Sequence, residues 1–117
     1  MYTEKDNKTI DIMGTEWAIL FAPADTGVLE HADGITDKSV NEIVVGIFEQ
    51  TPSAQKDLAA YQKKVLRHEI VHAFFYECGL AECSGSTDVW AQNETMVDFI
   101  ARQHSKLHAI FEKAGAL

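Results

Sequence analysis

Residues 66–80 read Leu66-Arg67-His68-Glu69-Ile70-Val71-His72-Ala73-Phe74-Phe75-Tyr76-Glu77-Cys78-Gly79-Leu80, and a helical stripe runs into them from upstream. Leu58, Tyr61, Val65, His68 and His72 recur at alternating three- and four-residue steps. Side chains so spaced share one face of an α-helix, so a face that begins apolar ends in two imidazoles. Thr51-Pro52 is a helix-start signal, because threonine can cap a helix and proline fits its first turn. Gly79 stands where a glycine commonly ends one. The spacing therefore predicts one long helix from Thr51-Pro52 to about Gly79.

Outward from this helix the pattern changes. Thr9 to Met13 and Glu16 to Phe21 place apolar residues at alternate positions (Ile10, Ile12; Trp17, Ile19, Phe21), which predicts strands joined by a turn at Gly14-Thr15. Pro23 opens a small polar loop that runs to Gly27. Val28 to Thr36 and Glu42 to Phe48 read as two more strands, with Asp37-Lys38-Ser39 as a hairpin turn between them. On the other side, Leu80 to Thr87 reads as a loop and Asp88 as the cap of a second helix ending near Lys113. Its core stripe would be Met96, Val97, Ile100, Leu107 and Phe111, and Trp17 and Trp90 read as core aromatics. Strands followed by helices argue an α+β fold. The expectation is a small N-terminal antiparallel sheet of three to four strands packed on two long helices.

The 117 residues suit one domain with one core. Hydrophobic residues make up 46% and charged residues 24%, the balance of an ordinary globular protein. The formal charge of −8 disfavours phosphate backbones, so nucleic acid is not an expected partner. The apolar runs are too short to span a bilayer, and the polar first residues do not resemble a signal peptide. The chain reads as cytoplasmic. Cys78 and Cys83 read as ordinary thiols; a small disulfide clip and a thiolate near a metal are the alternatives. Lys56, Lys63, Lys64 and Arg67 read as a solvated face.

His68-Glu69-Ile70-Val71-His72 is an H-E-x-x-H motif on a predicted helix. One turn separates the imidazoles, so both can reach a single Zn²⁺, and Glu69 beside them is placed as a proton acceptor. A catalytic zinc needs a third protein ligand and an open position. Asn93-Glu94-Thr95-Met96-Val97-Asp98 supplies Glu94 for that role. Asp98, one turn further on, could accept a hydrogen bond from a ligand histidine and fix its tautomer. H-E-x-x-H arises by accident in roughly one or two such chains in a hundred, and the added N-E-x-x-x-D makes accident about a hundredfold rarer. One Zn²⁺ per chain is the expected cofactor.

H-E-x-x-H followed by N-E-x-x-x-D is the pattern of the gluzincin metallopeptidases, and HEIVHAFFYECGL with WAQNETMVDFIA resembles the very small gluzincin-like domains of phage and prophage genomes. The resemblance covers about Leu66 to Ala101. It implies His68, His72 and Glu94 as zinc ligands, Glu69 as general base, Asp98 as the group orienting a ligand, and Asn93 as a further supporting group. It also implies a protein or peptide substrate lying extended beside an edge strand. Glu42 to Phe48, directly before the motif helix, is the expected edge, with Val44, Val45 and Gly46 as its substrate-binding residues. Larger gluzincins stabilise the tetrahedral intermediate with a histidine or tyrosine from a later domain, which has no counterpart in these residues. His104 reads as a boundary histidine, His108 as too distant, Tyr76 as core or near the site, and His31 as a candidate without positional support. Two functions follow: a zinc peptidase, or a zinc-stabilised binding module that hydrolyses little or nothing.

Overall fold

The computed structural model describes residues 1–83 and 93–117. Four strands, β1 (Lys8–Ile12), β2 (Thr15–Pro23), β3 (Gly34–Asp37) and β4 (Glu42–Ile47), precede the helices α1 (Leu58–Glu77), α2 (Leu80–Cys83) and α3 (Glu94–Lys113). The fold is α+β. Its sheet is mixed rather than antiparallel, with strand order β1-β2-β4-β3. β1 and β2 form an antiparallel hairpin with Ile10 opposite Trp17. Its turn falls at Met13-Gly14, both at positive φ (52° and 93°), one residue earlier than expected. Such a two-residue turn matches the strand twist, and glycine adopts the second position without strain.

β3 and β4 also form the expected antiparallel hairpin, with Thr36 opposite Ile43. β4 then pairs parallel with β2, placing Phe21 opposite Val45. Glu42–Ile47 is therefore an interior strand, and β1 and β3 are the edges. Composition explains the order: Ile43 and Val45 are fully buried, as a central strand demands, whereas Gly34–Asp37 is short and polar, as suits an edge. Of the strand expected from Val28 to Thr36, only the last part extends. Gly27–Leu29 is a short 3-10 turn that drives Leu29 into the interior.

Helix α1 starts at Leu58, seven residues after Thr51, because Asp57 caps it through a 3.0 Å bond from the Ala60 N–H. Thr51-Pro52 instead begins a turn closed by Ala54 N–H on Thr51 O. α1 lies on the sheet, where Val65 and Ala73 join Trp17, Ile19, Phe21, Ile43 and Val45 in the main core. α3 packs on α1 through Val97 and Phe75, with Val71, Met96 and Ile100 around them. Leu107, expected in this stripe, is exposed, as are Phe74 and His104. The side chain of Phe111, and Asp88 and Trp90 altogether, lie outside the described residues. Lys64 and Arg67 do not simply face solvent: Lys64 pairs with Asp98 at 2.9 Å and Arg67 donates to Ala101 O at 2.8 Å, both tying α1 to α3.

The C-terminal end of α1 is held to the sheet by Glu77. Its carboxylate accepts from Thr15 Oγ1 (2.7 Å), Trp17 Nε1 (3.0 Å) and Lys38 Nζ (2.9 Å). These bonds, from Thr15 first and then Lys38, hold the Glu77 pKa down from 4.5 to about 2. A carboxyl depressed by folding stabilises the native state above its unfolded pKa, and that contribution fades as pH falls from 4.5 towards 2. Glu77→Gln is expected to lower Tm near neutral pH, with a deficit that shrinks by about pH 3. Thermal scans across that range check it; a pH-independent deficit would assign the effect to packing instead.

Candidate metal centre

The site lies where α1 passes between the start of α3 and the edge strand. On α1, His68 and His72 point towards α3 and are 14% and 10% exposed. Glu94 meets them from the first turn of α3 and is 73% exposed. Asn93 positions it by capping: its side-chain oxygen accepts the Met96 N–H at 3.1 Å, so Glu94 is the first residue of the helix. Asn93 thus sets the helix start rather than a ligand ring. A carboxylate at that end is also favoured by the helix dipole.

Three candidate ligand atoms converge. His68 Nε2 is 2.8 Å from Glu94 Oε2, His72 Nε2 is 3.0 Å from Glu94 Oε1, and the two Nε2 atoms are 3.2 Å apart. One ligand atom from each residue falls within 4.8 Å of the others. Zinc bonds of 2.0–2.2 Å in a tetrahedron give ligand–ligand edges of about 3.3 to 3.6 Å; the imidazole pair at 3.2 Å is close to this, while the two separations to Glu94 are shorter, at hydrogen-bond length.

The hydrogen-bond chemistry is compatible with a cation at this point. Asp98 Oδ1 lies 3.2 Å from His68 Nδ1. Burial pushes the Asp98 pKa up, but bonds from Lys64, Arg102 and His68 outweigh it and hold the carboxyl well below the usual range. An ionised carboxylate only accepts, so Nδ1 of His68 carries the proton. In the neutral ring Nε2 then presents a lone pair to the Glu94 carboxylate, an acceptor facing an acceptor. A cation at that point removes the conflict. One metal ion would satisfy all three atoms; a single proton shared between His68 Nε2 and Glu94, with His72 Nε2–H donating to the other Glu94 oxygen, satisfies them as well. The donor set of two imidazoles and a carboxylate suits zinc.

Asp98 is itself locked by Lys64 at 2.9 Å and Arg102 at 2.6 Å. Asp98→Ala is expected to weaken zinc binding about 10- to 100-fold with the fold retained. Competition titration against a chelator reads this, and an unchanged affinity would remove Asp98 from the site.

Glu69 stays out of the ligand cluster. It points towards the sheet, 7% exposed, and its Oε2 accepts the Thr36 hydroxyl at 2.6 Å. Gly34 makes this approach feasible: a Cβ there would fall 2.7 Å from Val65 Cγ1 and 3.1 Å from Glu69 Oε1. Two cavities open on either side of Glu69 along β3. One, of 450 Å³, is lined by Gly34, Ile35, Thr36, His72, Tyr76 and Glu94; the other, of 220 Å³, reaches past His68 and Lys64 to Tyr61. Tyr61 closes the far end by donating to Asp33. Beyond it lies a larger cavity of 530 Å³ between Phe48, Leu58 and Pro23, lined by none of the three ligand residues.

Val44, Val45 and Gly46 are not beside this cleft as an open edge. Their strand is paired on both sides, with Val45 between Phe21 and Gly34. Gly46 gives its N–H to Asp33 O and accepts from Gln62 at 3.0 Å. The sheet edge on this side belongs to β3. Cys78 is exposed at the end of α1, its thiol directed to Phe75 O, and Cys83's side chain lies outside the described residues. His31 sits exposed in a turn before β3 rather than in a strand. Gly34, Thr36 and Arg102 are contributors that the sequence pattern did not single out, and Lys64 was read only as part of a solvated face. Arg102 carried a signal in retrospect, since Asp98 and Arg102 stand four apart on one helix face.

No protein-family model matches the chain, and no curated protein or solved structure matches it either. No helix among the described residues is long and apolar enough to cross a membrane.

Proposed function

We propose that this chain is a zinc-dependent peptidase of the gluzincin type that hydrolyses protein or peptide substrates. The observation that carries the reading is the separation of roles: three ligand atoms converge from His68, His72 and Glu94, while Glu69, between the two histidines in sequence, is held apart by Thr36. A site that only stabilises a fold has no use for such a base and commonly closes all four zinc positions with protein ligands.

When bound at His68, His72 and Glu94, zinc would lower the pKa of a water molecule and polarise the scissile carbonyl. Glu69 accepts a proton from the attacking water as its oxygen adds to the carbonyl carbon, and returns that proton to the leaving nitrogen as the C–N bond breaks. The products are a carboxylate and an amine. Thr36 fixes the Glu69 carboxylate by donating to one oxygen, leaving the other to handle the proton. Asp98 keeps the His68 lone pair directed at the cluster by holding Nδ1 protonated. The outer edge of β3 offers backbone N–H and C=O groups to an extended peptide, with the two cavities on either side of Glu69 to take its side chains.

The test is hydrolysis of an unbiased peptide library by zinc-loaded protein, with the same protein stripped by chelator alongside. Cleavage restored by zinc supports the reading. Zinc binding without any cleavage would favour a zinc-stabilised binding module.

A further inference from the structure

We propose that the Tyr76 hydroxyl donates the hydrogen bond that stabilises negative charge on the substrate carbonyl oxygen during hydrolysis, an assignment that rests on the peptidase reading above. As water adds, the carbonyl oxygen gains charge, and a neutral donor aimed at it in a partly enclosed site lowers the barrier more than it stabilises the ground state. The tyrosine keeps its proton throughout; the proton that moves travels from water through Glu69 to the leaving amine.

Placement comes from the helix. Tyr76 follows Glu69 by seven residues and His72 by four, so all three share one face of α1. Its Cα lies about 6 Å further along the axis than that of His72. Long side chains on a helix lean back towards its N-terminus, which carries the phenol over the turn of His72. The ring is half-buried and packs against the main core, which limits its freedom, while the residue lines the 450 Å³ cavity with Thr36, Glu69, His72 and Glu94.

Elimination among the cavity's other side chains leaves the same residue. Glu69 and Glu94 are acceptors, and the Thr36 hydroxyl proton is committed to Glu69. His72 Nε2 faces Glu94 and His68. Ala32, Gly34 and Ile35 bring only backbone polar groups to the cavity. Tyr76 is the side-chain donor there whose hydroxyl has no hydrogen-bond partner among the described residues. The later histidines are too far away: His104 lies ten residues beyond Glu94, about 15 Å along α3, and His108 about 20 Å.

Tyr76→Phe removes only the hydroxyl and keeps the packed ring. Expected is a fall in kcat of about 10²-fold. KM should stay within about twofold, and zinc content should not change. A phosphinic peptide, whose anionic oxygen occupies the place of the charged carbonyl oxygen, should bind Tyr76→Phe at least about tenfold more weakly than wild type. Wild-type kcat or wild-type affinity for the phosphinic peptide in Tyr76→Phe would overturn the assignment. So would a loss of kcat accompanied by loss of zinc, which would make the residue structural. Failure of the peptidase reading has a separate signature, since it appears as wild-type protein that takes up no zinc or as hydrolysis that survives Glu69→Gln.

Discussion

Glu69→Gln is expected to lower peptide hydrolysis by about 10²-fold or more while zinc content and Tm remain near wild type. The asymmetry follows from where Glu69 stands. Its carboxylate is not among the converging ligand atoms, so replacing it leaves His68, His72 and Glu94 untouched. Glutamine has the same length, and its amide oxygen can still accept the Thr36 hydroxyl that now bonds the carboxylate at 2.6 Å. The close fit under Gly34 also survives, because no volume is added against β3. What is lost is the ability to take a proton. A hundredfold loss corresponds to about 2.7 kcal/mol of barrier, well above the few tenths of stability that an isosteric change with its hydrogen bond retained should cause. Steady-state kinetics with metal analysis on the same preparations decide it. Equal hydrolysis by both proteins would point to a contaminant or to chemistry that does not use this base.

How much of this was legible in advance depends on whether the determinant was local. The proximity of the two histidines on α1 was readable because a four-residue spacing on a helix is itself a distance, and His68 and His72 do present Nε2 atoms 3.2 Å apart. Glu94 and Asp98 were readable for the same reason once one helix was assumed to bring them in, and both contact His68. The β3–β4 hairpin was legible too, since Asp37-Lys38-Ser39 turns the chain between adjacent segments. The sheet order was not. Whether β3 or β4 lies against β2 is decided by a parallel pairing between segments more than twenty residues apart, which no turn signal reports. The apolar Ile43-Val44-Val45 run in fact marks a central strand, and reading it as the edge moved the expected substrate strand one position inward. The start of α1 was missed because two capping signals compete, and Asp57, with its bond to Ala60, prevails over Thr51-Pro52. Thr36 and Gly34 were invisible for a different reason: their roles depend on α1 crossing β3 at Glu69, a contact between elements that neither segment encodes alone.

His72→Ala is expected to abolish stoichiometric zinc binding at metal concentrations that load the wild type with one ion per chain. Two protein ligands would remain, and they are unequal. His68 is 14% exposed and anchored by Asp98, but Glu94 is 73% exposed and competes with water for its partner. A pair of this kind does not complete a tetrahedral site. The metal-free fold should tolerate the change, because His72 belongs to neither apolar core cluster. The loss should therefore appear in the metal-dependent share of stability. Free zinc at a thousand times Kd stabilises a folded chain by about 4 kcal/mol, which for a domain of this size raises Tm on the order of 10 °C. Wild type should show that shift between chelator and excess zinc, and His72→Ala should show almost none, with similar Tm values for the two proteins in chelator. If His72→Ala retains one zinc per chain at wild-type affinity together with the full shift, then another group completes the site. The ligand set of His68, His72 and Glu94 would then be wrong at its central member.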